Sequence, residues 1–214
     1  MKDSLNEVAY MIAFLKGDPD NRELMEAVKV HALGFRSLYL RQDSSRNITS
    51  SLFIKRLSNL KLKRVHITGN DKLASLSKNT VLVTEQKIPA PVRIKGDLFF
   101  YVGDVNNTNP YTEADFNDLA FIAHNRFTAK IPRYIHIDNE IYIINANVSH
   151  ISIHMVPDDL RELNRISGCG CPFDEDNDPF FESQDIKLFV LTELSKAYNV
   201  QAITDNREIN ANKP

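Results

Sequence analysis

The stretch "LKLKRVHIT", residues 60–68, is where the sequence changes its period. Apolar and basic residues alternate along it, which suits a β-strand with one wet face. Upstream, apolar residues recur at helical spacing. Downstream, "TVLVTEQKI", "LFFYVGDV", "RYIHID", "EIYIIN" and "SHISIHMV" are further predicted strands. "RYIHID" and "EIYIIN" meet at Asp138-Asn139, residues that tolerate the left-handed backbone of a two-residue hairpin turn. "KIPAPVRI" carries two prolines and is expected at an edge or in an extended connection.

Helices bracket the strands. Ser4 and Glu7 form a capping-box pattern ahead of Val8, Met11, Ile12 and Leu15, with Gly17 as a stop. Asp20 and Glu23 repeat the pattern ahead of a long helix to about Gln42, whose predicted stripe is Leu24, Ala27, Val28, His31, Phe35, Leu38 and Tyr39. A third short helix is expected after Thr49, carrying Leu52, Phe53 and Leu57. Residues 112–124 read as a helix inside the strand region, capped by Thr112, and 157–167 as a short helix or turn. A last helix carries Ile186, Phe189, Val190, Leu194 and Ala197 on one face. None of these helices can bury its stripe alone. The expected fold is therefore α+β: N- and C-terminal helices packed together, with an inserted antiparallel β module. The boundaries read as 1–58 and 157–200 for the helical domain, 59–156 for the insertion and 201–214 for a flexible tail. That tail and the loop 103–113 are expected to act as docking arms that order on contact.

Composition narrows the class. The chain has 214 residues, 43% apolar and 25% charged, in the range of a globular protein with a real core. No apolar run approaches the roughly 18–20 residues of a membrane span, and the N-terminus does not read as a signal peptide. An intracellular site of synthesis is expected. A net charge of −2 argues against a generic nucleic-acid coat.

"GCGCPFDEDNDPF", residues 168–180, is the one stretch resembling chemistry. Cys169 and Cys171 supply two thiolates, whereas a structural zinc site needs four ligands; only His150 and His154 share a strand face to assist. Asp174, Asp176 and Asp178 fall at calcium-loop positions 1, 3 and 5, but Pro179 replaces the required glycine and Asp185 the bidentate glutamate. The plainer reading is a helix entry, with Asp178 as cap and Pro179 at the first helical position. No nucleophile elbow, catalytic cysteine signature or glycine-rich phosphate loop is present, so no catalytic residue, metal or cofactor is expected.

Charge is segregated instead. Residues 22–64 carry Lys29, Arg36, Arg41, Arg46, Lys55, Arg56, Lys61 and Lys63, while residues 158–185 are acidic. The two stretches are solvated faces or a complementary pair, meeting within one subunit or between neighbours. The expectation for a subunit interface is Arg36, Arg41 or Arg46 facing Asp174, Asp176 or Asp178 of the next copy.

Six segments in order, "LGFRSLYLRQD", "VTEQKIPAPVRI", "LFFYVGDV", "YIHIDNEIYIIN", "ISIHMVPDDL" and "CPFDEDNDPF", resemble a virion structural protein family of the crAss-like tailed phages that infect gut Bacteroidetes. Arg41-Gln42-Asp43, Ile88-Pro89-Ala90-Pro91 and Cys171-Pro172-Phe173-Asp174 carry most of the likeness, which spans roughly residues 5–200. The Gly-Cys-Gly before Cys171 and the polar tail after Val200 depart from it. The resemblance implies an adaptor or tail-tubular-like ring of the head-to-tail connector, with about twelve copies beneath the portal. Its partners would be its own copies, the portal and neighbouring connector or tail proteins. Genomic DNA would pass through the lumen without sequence-specific binding, and no membrane would be involved. Such a ring is assembled in the host bacterial cytoplasm and resides in the virion. The competing readings are a tail hub or other tail subunit, a non-phage interaction domain, and a metal-dependent enzyme.

Overall fold

The structure, a computed structural model, describes residues 4–42, 53–67, 80–94, 96–114, 130–166 and 173–201. Helices lie at both ends and an antiparallel-rich sheet lies between them. The chain divides into two compact units: Met1–Phe53 with Phe173–Pro214, and Ile54–Pro172. Segment 157–166, expected with the helices, belongs with the strands. Its backbone explains why: Asp158 N–H donates to Ala90 O at 2.8 Å, and Ala90 N–H donates to the Glu162 carboxylate at 3.2 Å.

In the helical unit, α1 (Leu5–Leu15) starts at the expected capping box: Glu7 N–H donates to Ser4 Oγ, and Ser4 N–H to the Glu7 carboxylate. Helix α2 (Arg22–Gln42) starts one residue later than expected. Asn21, not Asp20, is its cap, accepting from Leu24 N–H at 2.9 Å. The face of α2 also differs. Val28, Lys29, Ala32, Leu33, Arg36, Ser37 and Leu40 are buried, while Ala27, His31 and Leu38 are exposed. Helix α3 (Gln184–Tyr198) is capped by Ser183 Oγ, which accepts from Ile186 N–H, and ends at Asn199 in the left-handed conformation. Asp178 therefore does not cap it. Ala197 is exposed; Leu191 and Ser195 take the inward positions.

In the second unit, β1 (Lys55–His66) begins five residues before the period change, so Leu57 lies in a strand rather than a helix. Phe53 is buried in a turn just before β1, and the part of the expected third helix before it, like most of the one at 112–124, lies outside the described residues. Strands β2 (Thr80–Thr84), β3 (Phe99–Gly103), β4 (Thr112–Glu113), β5 (Arg133–Ile137), β6 (Glu140–Ile144) and β7 (His150–Met155) complete a sheet ordered β3-β7-β1-β2-β6-β5-β4. Thr112 is thus a strand residue, paired in parallel with Arg133. The hairpin turn Asp138-Asn139 has φ of 52° and 64°, as read from the sequence.

One extra residue decides which side of β1 is wet. Leu57 pairs with Ile153 and Leu60 with Ile151, so β1 has a bulge, with Asn59 at φ 56°. In a regular strand residues three apart face opposite sides. The bulge turns both leucines inward, and both are at most 4% exposed. By register they share a face with Leu82, Ile143 and Ile153.

The sheet closes on itself. Pro110 bridges Gly103, and Tyr111 N–H donates to Val102 O at 2.7 Å, joining this segment to β3. The next residues, Thr112 and Glu113, pair with β5. Phe99 of β3 meets Tyr134 and His136 of β5 edge-on, at 5.9 and 5.1 Å between ring centres. The result is a small barrel, which leaves no long free edge where β3 and β5 would otherwise end. Burial pushes the His136 imidazole below its usual pKa, partly offset by Asp138. Burial and Arg56 do the same to His154.

The turn that closes the barrel is built around one carboxylate. Asp104 accepts from the Thr108 hydroxyl, the Asn109 N–H, the Tyr101 hydroxyl and the Thr108 N–H, at 2.6–3.0 Å. The loop expected to order only on contact is organised within the subunit. The Thr108 hydroxyl first, then the Asn109 N–H and Tyr101 hydroxyl, hold Asp104 far below the usual carboxylate range. Gly103 has no room for a Cβ against Asn109 O and the Tyr101 ring.

Gly103→Ala should destabilise the protein by about 1–3 kcal/mol through overpacking, read by thermal or urea denaturation. Asp104 has a lowered folded pKa. Its contribution is complete above the unfolded value of about 3.9 and is lost as pH falls through the lower folded value. Asp104→Asn should therefore show a shallower loss of stability below about pH 4, measured by urea titration across the acid range.

Candidate assembly interface

The acidic stretch is a folded loop seated on the helices. Asp174 accepts from the Asp176 N–H at 2.9 Å and from the Asn177 N–H and side-chain amide. Asp178 accepts from the Asp174 N–H at 2.8 Å. Two contacts fasten the loop to the first turn of α1: Asn6 N–H donates to Glu175 O at 3.1 Å, and the Asn6 amide to the Asp176 carboxylate at 2.6 Å. Phe173 and Phe180 are buried at its two ends.

Two cations of α2 reach this C-terminal segment from the buried face. Lys29 Nζ lies 2.8 Å from Glu175 and 2.8 Å from Glu26. Burial opposes its charge, but the hydrogen bonds to Glu175 and Glu26 prevail and raise its pKa. Arg36 has no exposed surface and holds Glu182 with both Nε and Nη2. Such a forked contact is strong because donor and acceptor are both ionised. Each ion pair spans the same 146 residues. Basic and acidic segments thus meet within one chain at these points. The sequence shows only that Lys29 and Arg36, seven residues apart, share a helix face, as the spacing of two helical turns requires.

The six residues expected at a subunit interface are therefore placed differently. Arg36 is internal, and the correction has a plain cause: it neutralises Glu182 of its own chain. Arg41 is exposed at the end of α2, and Arg46 lies outside the described residues. Asp174 and Asp176 are exposed and Asp178 is half-buried, all on the loop beside α1. Cys169 and Cys171 lie outside the described residues. Among the described residues, no group of three or more His, Cys, Asp or Glu is gathered in metal-binding geometry. None of the described helices is long and apolar enough to cross a membrane. In the barrel an open cleft of about 380 Å³ lies beside the bulge, lined by Asn59, Lys61, Glu85, Gln86 and His150 among others.

Exposed apolar residues concentrate in the helical unit. Of the eight large hydrophobic side chains well exposed to solvent among the described residues, six belong to it: Tyr10, Phe14, Leu15, Val30, Leu38 and Leu188. Helix α1 is apolar nearly all round; its buried side is Leu5, Val8, Ala9, Ile12 and Ala13. A helix of that kind is normally covered on every side.

Arg36→Ala should cost about 3–5 kcal/mol by stranding the Glu182 carboxylate. The double change Arg36→Met with Glu182→Leu should recover most of that loss, since a matched apolar pair leaves no buried charge. Chemical denaturation of the three variants measures both effects.

Residues 7–206 match the family described as phage tail ring protein 2, of the crAss-like phages. No curated protein matches the chain. A ring protein assembles through repeated contacts between copies and with other virion proteins. The match covers nearly the whole sequence, both units included, and the chain accordingly belongs to the phage tail ring protein 2 family, a structural family of the virion.

Proposed function

We propose that this protein is a ring of the head-to-tail connector, joining the portal side of the particle to the tail and enclosing the channel through which the genome leaves. The near full-length match to a tail ring family carries this reading. The ring would hold about twelve copies, arranged head to tail so that each subunit uses two different faces. Its role is mechanical and not catalytic. The lumen would let DNA pass without reading its sequence, in keeping with a net charge of −2.

Charge pairing between copies remains part of the proposal, with a revised set of residues. Arg41, and Arg46 after it, would face Asp174, Asp176 and Asp178 of the next subunit. Asp174 and Asp176 are exposed on a loop held rigid by its own hydrogen bonds. A preorganised acidic surface of this kind loses little freedom on docking.

The word "tail" in the family description favours one second reading, a ring within the tail and away from the portal. Electron microscopy of particles labelled on this protein separates the two. A closed ring of about twelve subunits next to the portal is expected. A ring farther down the tail axis supports the second reading, and a protein absent from the particle overturns both. Charge reversal at Asp174 and Asp176 should reduce assembly, and reversal at Arg41 and Arg46 in the same chain should restore it; particle yield and mass photometry measure this.

A further inference from the structure

Among the described residues, two exposed apolar faces of the helical unit match each other. On α1, Tyr10 and Phe14 stand one turn apart, stacked at 6.4 Å between ring centres, and are 51% and 62% exposed. On α2, the outward positions Ala27, Val30, Gly34 and Leu38 fall on one line, with Val30 and Leu38 exposed by 53% and 42%. Nothing lies within 4 Å of where a Gly34 Cβ would stand, so this glycine leaves a hole in an otherwise apolar ridge. The opposite side of α2 is already occupied by α1 and α3 of its own chain, so the outward ridge is left over.

We infer that the outer face of α1 in one copy docks antiparallel on the outer ridge of α2 in the next copy, with Tyr10 over Gly34 and Phe14 over Val30. This rests on the ring reading and supplies the contact that the reading requires. The spacing fits: residues 10 and 14 are separated by about 6 Å along their helix, as are 30 and 34 along theirs. Large side chains on one helix filling the gaps of another is the ordinary way helices pack.

Charge complementarity selects a second copy of this chain as occupant and sets the direction. The N-terminal end of α1 is acidic: Glu7 lies in its first turn, and the loop bearing Asp176 is fastened to Asn6. The C-terminal end of α2 carries Arg41. At the other ends, Lys16 follows α1, while Arg22 and Glu23 open α2. Antiparallel docking brings the acidic end of α1 toward Arg41; parallel docking turns it away. The same arrangement carries the 174–178 loop toward Arg41 of the neighbour, where the charge proposal needs it. The contact is heterologous, since one copy gives α1 and the other α2, as a closed ring requires.

Gly34→Glu and the pair Tyr10→Glu with Phe14→Glu test it in the full chain. Gly34 is exposed in mid-helix, so Gly34→Glu should leave the monomer melting temperature unchanged or higher. It should lower the yield of closed oligomers at least tenfold, and the α1 pair should do the same. A photo-crosslinking residue at position 10, in a mixture of light and isotope-labelled chains, should give crosslinks between chains to α2 around residue 34. Wild-type assembly by both sets of variants, or crosslinks only to a different virion protein, overturns this contact and leaves the ring reading standing. A wild-type chain that forms no closed oligomer, alone or in particles, overturns the ring reading and this contact with it.

Discussion

The buried pair of Arg36 and Glu182 is the constraint around which the helical unit is arranged. An arginine with no exposed surface is tolerable only if a counter-charge is buried with it. That counter-charge comes from the far side of the inserted barrel, 146 residues away. Lys29 and Glu175 repeat the connection two helical turns earlier, nearer the surface. Together the pairs bring α2 to the segment that leads into α3. The same helices also meet through aromatic rings, Tyr39 on Phe189 and His31 on Tyr198, the latter pair joined by a hydrogen bond of 2.8 Å.

The same two cations explain where the sequence could be read and where it could not. The α+β class, the Ser4 capping box, the Asp138-Asn139 turn and most strands were legible, because each rests on local chemistry or a short period. The phase of α2 was not. A stripe of apolar residues points to Leu24, Ala27, His31 and Leu38, yet the buried face includes Lys29 and Arg36. Charged residues read as solvent-facing unless their partners are known, and the partners lie in a distant segment. The start of β1 was hidden similarly. Leu57 and Leu60 are three apart, a helical interval, and only the bulge at Asn59 makes it a strand interval. The acidic loop was legible as a turn leading toward the last helix, though Ser183 and not Asp178 caps that helix. Its attachment to Asn6 was not, since nothing in either local sequence announces it.

Misreading the phase of α2 has a physical lesson. Residues assigned to a core by periodicity, Ala27 and Leu38, lie on the exposed side of α2 instead. An apolar outward ridge on α2 and an apolar outward pair on α1 are the same anomaly seen on two helices. Among the described residues of the barrel, Phe100 and Ile131 are exposed singly, an ordinary finding. Its bulge, its tight turn and the Asp104-centred loop stiffen it from within.

A helical unit built from both ends of a chain is finished late. As the polypeptide emerges from the ribosome, α1 and α2 come first and the barrel second. Until residue 182 has been made, Arg36 has no counter-charge and α2 has no third helix beside it. Among the described residues the strands of the barrel all lie within 55–155, ahead of the segment that leads into α3. Completion of the helical unit therefore waits until α3 has followed the barrel out of the ribosome, and chains that stop short of α3 do not present the finished joint.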